Sequence, residues 1–442
     1  MTTNFSVSCN AASHQVGTLA PNGVCASVFS LDRKLTADCN RGTFLKSDAK
    51  TAAAIDKENS MTTTHICLLS EQPIPNLAPL LTAHIRADNA LFVVSPQQLT
   101  ALEHMKTVLG PRGIRVEALE IADAMDYPSV LEALESTLAQ RKGNGEQLLI
   151  NATGGTKPMS IAAHMAGFNA DIPVFYVEND RVHWLDDQGE EREAFDIEER
   201  LKLKEYLAAY GFNLEGRKIT PVPVDQFKLF QEVLTIPSFF AQIKTLNYIA
   251  WQAAESGTLT TPLSVAQKNN QGLQALLDKM RDTGLIELGG HEVRFTSPDS
   301  RDLCNGLWLE EFCYREAEKL KGMLGGKLQD LGRSLAIRGR GKGREPVDNE
   351  LDIALLHDNR FYLVECKTRH FNDKGDPDVE EALYKLATLR RNVGGLYGKG
   401  LLVSAYPVAD KHKRRAAALD IAICDGAADV ASFRSYLKTW LV

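Results

Sequence analysis

Residues 350–367 read Glu-Leu-Asp-Ile-Ala-Leu-Leu-His-Asp-Asn-Arg-Phe-Tyr-Leu-Val-Glu-Cys-Lys. Two apolar runs alternate about a polar centre, His357-Asp-Asn-Arg360, which is the pattern of a β-hairpin. Alternation places Leu351, Ile353 and Leu355 on one face, with Tyr362, Val364 and Cys366 on the matching face of the partner strand. With Asp358-Asn359 as a two-residue turn, Asp352 stands opposite Glu365 and Glu350 opposite Lys367. Directly opposed Cβ atoms lie about 4.5–5.5 Å apart, so the hairpin holds two carboxylates side by side. Such a pair repels itself and loses hydration unless a cation accompanies it. Mg2+ or Mn2+ takes oxygen ligands and retains waters, one of which can become a nucleophile. Lys367 points the same way as Glu365 and suits charge on a phosphate. The plain alternative is a salt-bridged strand face.

The flanks extend this reading. Asn305-Gly-Leu-Trp-Leu-Glu-Glu311 places Glu310 at a helix start, where it can add a third carboxylate; Glu311 is its adjacent competitor. Residues 331–344 carry Arg333, Arg338, Arg340, Lys342 and Arg344 among glycines, with no acidic residue. That composition predicts a mobile basic loop that grips phosphodiester backbone. Glu310, Asp352, Glu365 and Lys367 together resemble the acidic-helix, D and ExK elements of the PD-(D/E)xK nuclease superfamily. The proline-aspartate pair is not kept, since Glu350 and Leu351 precede Asp352. The resemblance implies metal-dependent cleavage of DNA, RNA or both, with Asp352, Glu365 and Glu310 on the metal side.

Further upstream, short apolar runs at Ile66–Leu69, Leu91–Ser95, Val116–Ile121, Leu148–Asn151 and Val174–Val177 alternate with helical patterns at Leu77–Arg86, Gln98–Leu109, Val130–Gln140 and Pro158–Phe168. Alternation of this kind predicts a parallel, doubly wound sheet whose ligands bind beyond the carboxyl ends of the strands. At that edge lies Asn151-Ala-Thr-Gly-Gly-Thr-Lys-Pro-Met159. Gly154 and Gly155 let backbone N–H groups approach an anion, the following helix start adds partial positive charge, and Lys157 adds a whole one. The loop is neither a Walker A sequence nor G-x-G-x-x-G, which disfavours ATP hydrolysis and nicotinamide binding. The first strand ends in the polar loop Ser70-Glu-Gln-Pro-Ile-Pro-Asn76.

The two loops together resemble those of the CRISPR-associated Rossmann-fold (CARF) sensors. That resemblance implies a homodimer binding cyclic tetra-adenylate through Ser70, Gln72, Asn76, Thr153, Gly154, Gly155, Thr156 and Lys157. Sensor first and PD-(D/E)xK domain last is the order of the ancillary nucleases of type III CRISPR systems.

Four stretches are expected: a poorly ordered extension over 1–60, which can also be an upstream translation start; a Rossmann-like sensor over 61–220; a winged-helix-like connector over 221–300; and an α/β nuclease domain of the restriction-endonuclease type over 301–442. The connector has helical patterns followed by a ribbon about Gly289-Gly290-His291, and can be structural or DNA-reading. Apolar residues make up 44% and charged residues 24% of 442, values of an ordinary globular protein. No apolar run is long enough to span a bilayer, no secretory signal is visible, and no membrane partner is expected. The 8 cysteines are scattered, as reduced cytoplasmic thiols are. A net charge of −7 leaves nucleic-acid binding to a local basic patch. Two rival functions fit the same residues: a ligand-responsive winged-helix regulator with a degenerate nuclease domain, and a constitutive repair or restriction nuclease.

Overall fold

The computed structural model describes residues 61–441 apart from 187–188, 190, 217–219, 341–345 and 369–376. The expectation for residues 1–60 therefore lies outside the described residues.

The first sheet runs β1 (Thr63–Leu68), β2 (Asn89–Val94), β3 (Arg115–Glu120), β4 (Gln147–Asn151), β5 (Val174–Glu178), β6 (Arg181–Asp186) and β7 (Phe195–Asp196). Its order is β3-β2-β1-β4-β5-β6-β7. Four helices connect the strands: α1 (Ile74–Leu81), α2 (Leu99–Leu109), α3 (Tyr127–Gly143) and α4 (Lys157–Ala170). Leu77 and Leu80 of α1 and Met105 of α2 pack with Cys67 and Phe92 on one face of the sheet. Leu134 of α3 and Met159 and Ala162 of α4 pack with Ile66 and Val93 on the other. Because β1, β2 and β4 are covered on both faces, they read as apolar runs, whereas the edge strand β3 keeps Arg115, Glu117 and Glu120 towards solvent. The sheet departs from the all-parallel expectation, since β6 and β7 are antiparallel. Asn179 and Asp180 both take positive φ, 48° and 61°, the geometry of a tight hairpin turn that sends the chain straight back.

After α5 (Leu203–Ala209), the strand β8 (Phe212–Glu215) leaves the first sheet altogether. It lies inside the 61–220 span, yet it pairs with a strand of the second sheet. The connector follows as α6 (Val224–Thr235), α7 (Pro237–Phe240), α8 (Ile243–Glu255), β9 (Thr260–Pro262), α9 (Val265–Lys268), α10 (Gln271–Asp282), β10 (Ile286–Gly289) and β11 (Glu292–Phe295). Strand order β10-β11-β9 completes a winged-helix arrangement, with a third strand that three residues of sequence did not reveal. Leu246, Ile249, Leu273, Leu277 and Phe295 close its core.

The last region is α11 (Pro298–Asp302), a π-turn (Leu303–Leu307), α12 (Trp308–Lys321), β12 (Leu328–Arg340), β13 (Pro346–His357), β14 (Arg360–Lys367), α13 (Pro377–Gly394), β15 (Lys399–Ser404), α14 (Asp410–Ala418), β16 (Ile421–Asp425), α15 (Ala427–Ala431) and α16 (Phe433–Leu441). The sheet order is β16-β15-β14-β13-β12-β8. The hairpin register matches expectation, with Ile353 opposite Val364 and His357 opposite Arg360. Asp358 and Asn359 form its turn with φ of 46° and 55°.

Two expectations fail here. Residues 331–340 are not a mobile loop: they form most of β12, paired with β13 on one side and β8 on the other. The glycine at 339 serves packing, because a Cβ there would meet the Phe212 ring at 2.3 Å. The strict alternation of β13 also breaks. Leu351 packs with Ile337 in one core while Ile353 and Leu355 enter the other. Opposite the break, Ser334 adopts φ 45°, so the strands kink where Asp352 sits.

One core runs between the two sheets. Tyr206 of α5 stacks on Phe361 of β14 with ring centroids 5.4 Å apart, joining sensor and hairpin. Asn359 fixes the same junction: its Oδ1 accepts from Leu201 N at 3.1 Å and from Gln329 Nε2 at 2.7 Å, and its Nδ2 donates to Glu199 O at 2.9 Å.

Candidate functional site

The break in β13 opens the second sheet beside the N-terminal end of α12. A cleft of about 600 Å³ forms there, lined by Glu310, Glu350, Asp352, Glu365, Lys367 and Thr368, with Asp302 and Asn305 from the α11 side and Glu381 and Lys385 from α13. All four residues expected for cleavage, Glu310, Asp352, Glu365 and Lys367, line it. The π-turn brings its wall close, since a Cβ on Gly306 (φ 128°) would meet Thr368 Oγ1 at 2.6 Å. Local widening of a helix in this way is common at functional sites.

Buried carboxylates set the electrostatics. Asp352 Oδ2 accepts from Cys366 N at 2.7 Å. Burial, and then the charge of Glu365, still push Asp352 up to about 6. Burial and the charge of Asp352, with Glu350 and Glu365 adding, push Glu310 up to about 8, although the Ser334 hydroxyl opposes the shift. That hydroxyl donates to Glu310 Oε2 at 3.1 Å. Lys367 Nζ meets Glu365 Oε1 at 2.6 Å. Burial pulls Lys367 down, but Glu365 and Asp352 outweigh it and leave it raised.

The competition between the adjacent acids resolves structurally. Glu311 turns away, buried against Arg315 at 2.5 Å and Arg333 at 2.7 Å. Arg333 is thereby committed to an internal ion pair rather than to a nucleic-acid backbone. Arg338 is half exposed and lies 3.6 Å from Asp348 and 3.9 Å from Glu215, long pairs that leave its guanidinium open to solvent. Lys342, Arg344 and the side chain of Arg340 lie outside the described residues.

Among the described residues, no three His, Cys, Asp or Glu side chains converge closely enough to enclose an ion. The donor set nonetheless fits a hard divalent cation. Glu365 is buried and Asp352 half-buried, their neighbours add further negative charge, and the cleft has room for waters in the remaining positions.

A second cleft, of about 390 Å³, lies at the carboxyl edge of the first sheet. Ser70, Gln72, Thr153, Gly154 and Gly155 line it, as the sequence suggested. Asn76 does not: it is fully buried, and its Nδ2 donates to Leu68 O at 2.8 Å. It braces the first-strand loop instead. Thr156 caps α4, accepting from Met159 N at 3.3 Å and donating to Ala124 O at 2.5 Å. Lys157 is exposed at the helix start. Gly154 is sterically obligatory, since a Cβ would fall 1.9 Å from Leu68 O.

The other wall of this cleft was not foreseen. Asn359 and Arg360 at the hairpin turn, Gly394 at the end of α13, and Leu396 and Tyr397 after it belong to the second sheet's domain. Leu396 N donates to Gln72 Oε1 at 3.1 Å, and Tyr210 OH donates to the same oxygen at 3.3 Å. Arg360 reaches Asn179 Oδ1 at 2.8 Å. A faint signal existed in the sequence: Gly394-Gly-Leu-Tyr-Gly398 puts two large apolar side chains in a glycine-rich turn where no core awaits them. Half-buried Asp180 lines the same cleft, raised to about 7 by desolvation against the pull of Arg200.

Comparison with known families agrees with both halves. Residues 64–206 match the Card1 CARF domain, and residues 298–442 match the Card1-like endonuclease domain. The chain belongs to the Card1-type CARF nucleases. Its fold extends along both partners of two solved structures. Protein VC1899 from Vibrio cholerae has a TM-score of 0.78 at 24% identity, covering 86% of this chain and 98% of that one. Can2 from Sulfobacillus thermosulfidooxidans, solved with cyclic tetra-adenylate, has a TM-score of 0.70 at 24% identity, covering 86% and 99%. A search of curated proteins finds no match. The acidic cleft lies within the endonuclease match, and Ser70, Gln72 and the Gly154-Gly155 turn of the second cleft lie within the CARF match. No helix among the described residues is long and apolar enough to cross a membrane.

Proposed function

We propose that this nuclease is a cytoplasmic homodimer of type III CRISPR defence, activated by a cyclic oligoadenylate of the tetra-adenylate size. The observation that carries the reading is the shared cleft: the sensor's Gly154-Gly155 turn and the nuclease's Arg360, Leu396 and Tyr397 line one cavity. A ligand seated there touches both domains and so can favour one arrangement of them over another, as activation demands. The complex of Can2 with cyclic tetra-adenylate supports the choice of messenger.

A two-fold messenger suits a two-fold site. Helix α4, which begins at the Gly-Gly-Thr-Lys loop, exposes Ile161, Met165 and Phe168 at helical spacing. An apolar stripe of this kind on a sensor helix fits a face between two copies. Free, buried cysteines at 67, 304, 313, 366 and 424 suit a reducing compartment.

For cleavage, Asp352 and Glu365 would hold Mg2+ or Mn2+, with Glu310 beside them. The cation supplies charge neutralisation for the scissile phosphate and a more acidic water. Lys367 leaves Glu365 when the carboxylate is otherwise engaged, and its ammonium then steadies charge on the phosphate oxygens. Ser334 holds Glu310 towards the cleft, and Cys366 N–H fixes Asp352. Substrate is DNA, RNA or both, with Arg338 as a backbone contact at the rim.

The test is a cleavage assay on labelled single-stranded RNA, single-stranded DNA and supercoiled plasmid, in Mn2+, with and without cyclic tetra-adenylate, beside Glu365→Ala. Cutting that needs both messenger and Glu365 is expected. Equal cutting without messenger overturns the activation, and no cutting of any substrate overturns the enzymatic reading of this cleft.

A further inference from the structure

Helix α8 of the connector carries a solvent-facing stripe that neither the winged-helix core nor the catalytic cleft uses. Tyr248 and Trp251 are 49% and 43% exposed, far more than aromatic side chains of a packed helix need be. Their rings stack on one another with centroids 5.8 Å apart and planes 27° from parallel, and Gln252 Nε2 donates to Tyr248 OH at 3.1 Å. Lys244 is exposed one turn before Tyr248. The opposite side of the helix, with Leu246, Ile249, Ala250 and Ala253, is fully buried, so the rings cannot turn inward.

The position of the stripe matters more than its composition. Asn247, adjacent to Tyr248 and one turn before Trp251, donates its Nδ2 to Thr368 O at 3.2 Å. Thr368 follows Lys367 and lines the catalytic cleft. At about 1.5 Å of rise per residue, Trp251 lies roughly 6 Å along α8 from that contact. The aromatic pair therefore starts within about one helical turn of a residue that contacts the lining of the cleft.

We propose that Tyr248 and Trp251 form a base-stacking platform that receives single-stranded nucleic acid flanking the scissile phosphate. Flat, exposed aromatic faces beside a cationic side chain take bases of any sequence, because every base has a π-face. A paired duplex hides those faces within its own stack, so the platform selects single strands over duplex. The inference rests on the nuclease reading of the Asp352–Glu365 cleft. It gives the winged-helix connector a task in substrate choice without groove reading. That suits α10, whose Lys279 and Arg281 are engaged by Glu232, Asp278 and Asp282.

The test measures binding separately from cutting. Full-length Glu365→Gln protein, with cyclic tetra-adenylate present, is titrated with a fluorescent 20-nucleotide oligodeoxythymidine and with a hairpin duplex of equal length. Trp251→Ala in that background should weaken oligodeoxythymidine binding by roughly 5- to 150-fold, the range for losing one stacked base. Trp251→Phe should restore most of it, and duplex binding should move less than two-fold. In the cutting-competent protein, Trp251→Ala should raise KM for long single strands while kcat holds.

Unchanged oligodeoxythymidine binding in both Trp251→Ala and Tyr248→Ala overturns the platform. So does an equal loss on duplex, or a shift from dimer to monomer that marks the stripe as a face between copies. If Trp251-dependent binding is found but the cutting-competent protein cleaves nothing, the platform stands and the nuclease reading falls. Retention by Trp251→Phe guards against a folding artefact.

Discussion

The two clefts of this protein solve opposite electrostatic problems with similar backbone. The sensor cleft sits at the carboxyl edge of parallel strands and offers backbone groups, amides and hydroxyls. Its geometry is fixed beforehand: Gly154 lies against Leu68 O, Asn76 braces that carbonyl, and Thr156 caps α4. The catalytic cleft gathers Glu310, Glu350, Asp352 and Glu365 with Lys367 as a cationic neighbour, so it is poorly compensated. A binding site for an anion can be finished by folding alone, whereas an acidic centre is finished only by what later enters it.

Four experiments break or sharpen that contrast. The largest effect should come from Asp352→Asn, which removes one of the paired carboxylates while leaving the Cys366 N–H an acceptor. Cleavage should fall about 10³-fold or more, and isothermal titration should show messenger affinity unchanged. Loss of both would show that the clefts are not separable.

Next is Gly154→Ala. The new Cβ has no room beside Leu68 O, so overpacking should cost about 1–3 kcal/mol, read as a lower midpoint in urea, together with loss of messenger stimulation. Full stimulation in that variant would mean that the sensor loop is softer than its contacts indicate.

Gln72→Ala is subtler. It removes the shared acceptor for Leu396 N and Tyr210 OH without touching the glycine turn. If the shared wall transmits activation, maximal stimulation should drop about ten-fold, within the roughly 0.5–2 kcal/mol typical of coupling residues. A rightward shift in the messenger titration with full maximal rate would instead mark Gln72 as a simple ligand contact.

The smallest effect concerns stability in chelator. Glu310 is raised to about 8 by burial and by Asp352. A raised carboxyl pKa means that the folded form holds a proton the unfolded chain releases. Stability from this group is therefore complete below the unfolded carboxyl range and drains as pH climbs through about 8. Glu310→Gln should melt a few degrees higher than wild type at pH 9, with the difference shrinking below pH 7. A difference that grows on acidification would refute the sign.

The contrast also explains what could be read from sequence. The hairpin was legible down to its register because a two-residue turn between two apolar runs leaves one pairing, even though the alternation of β13 breaks at Asp352. Glu310 and the Gly154-Gly155 turn were legible because local spacing fixes them. The basic segment was misread because interleaved Gly and Arg look like a loop, while what makes them a strand is pairing with β8, more than a hundred residues earlier in the chain. Asn76 carried an amide that suits a ligand equally well as a carbonyl brace, and only the buried position of Leu68 O decides. The nuclease-domain wall of the sensor cleft depends on how two sheets meet, which no local pattern encodes.

The hairpin turn at Asp358-Asn359 has one further consequence. Its residues touch the first sheet's domain, and its far ends carry Asp352 and Glu365, so a single pair of strands spans the distance between the two clefts. At about 3.3 Å per residue, the six steps from Asn359 to Glu365 measure roughly 20 Å. A ladder of this kind resists sliding, because moving one strand by a single residue would turn the carboxylates to the opposite face. The hairpin can swing or tilt as a stiff rod, but it cannot stretch, so any signal that reaches the cleavage centre along it arrives as a change of aim rather than a change of length.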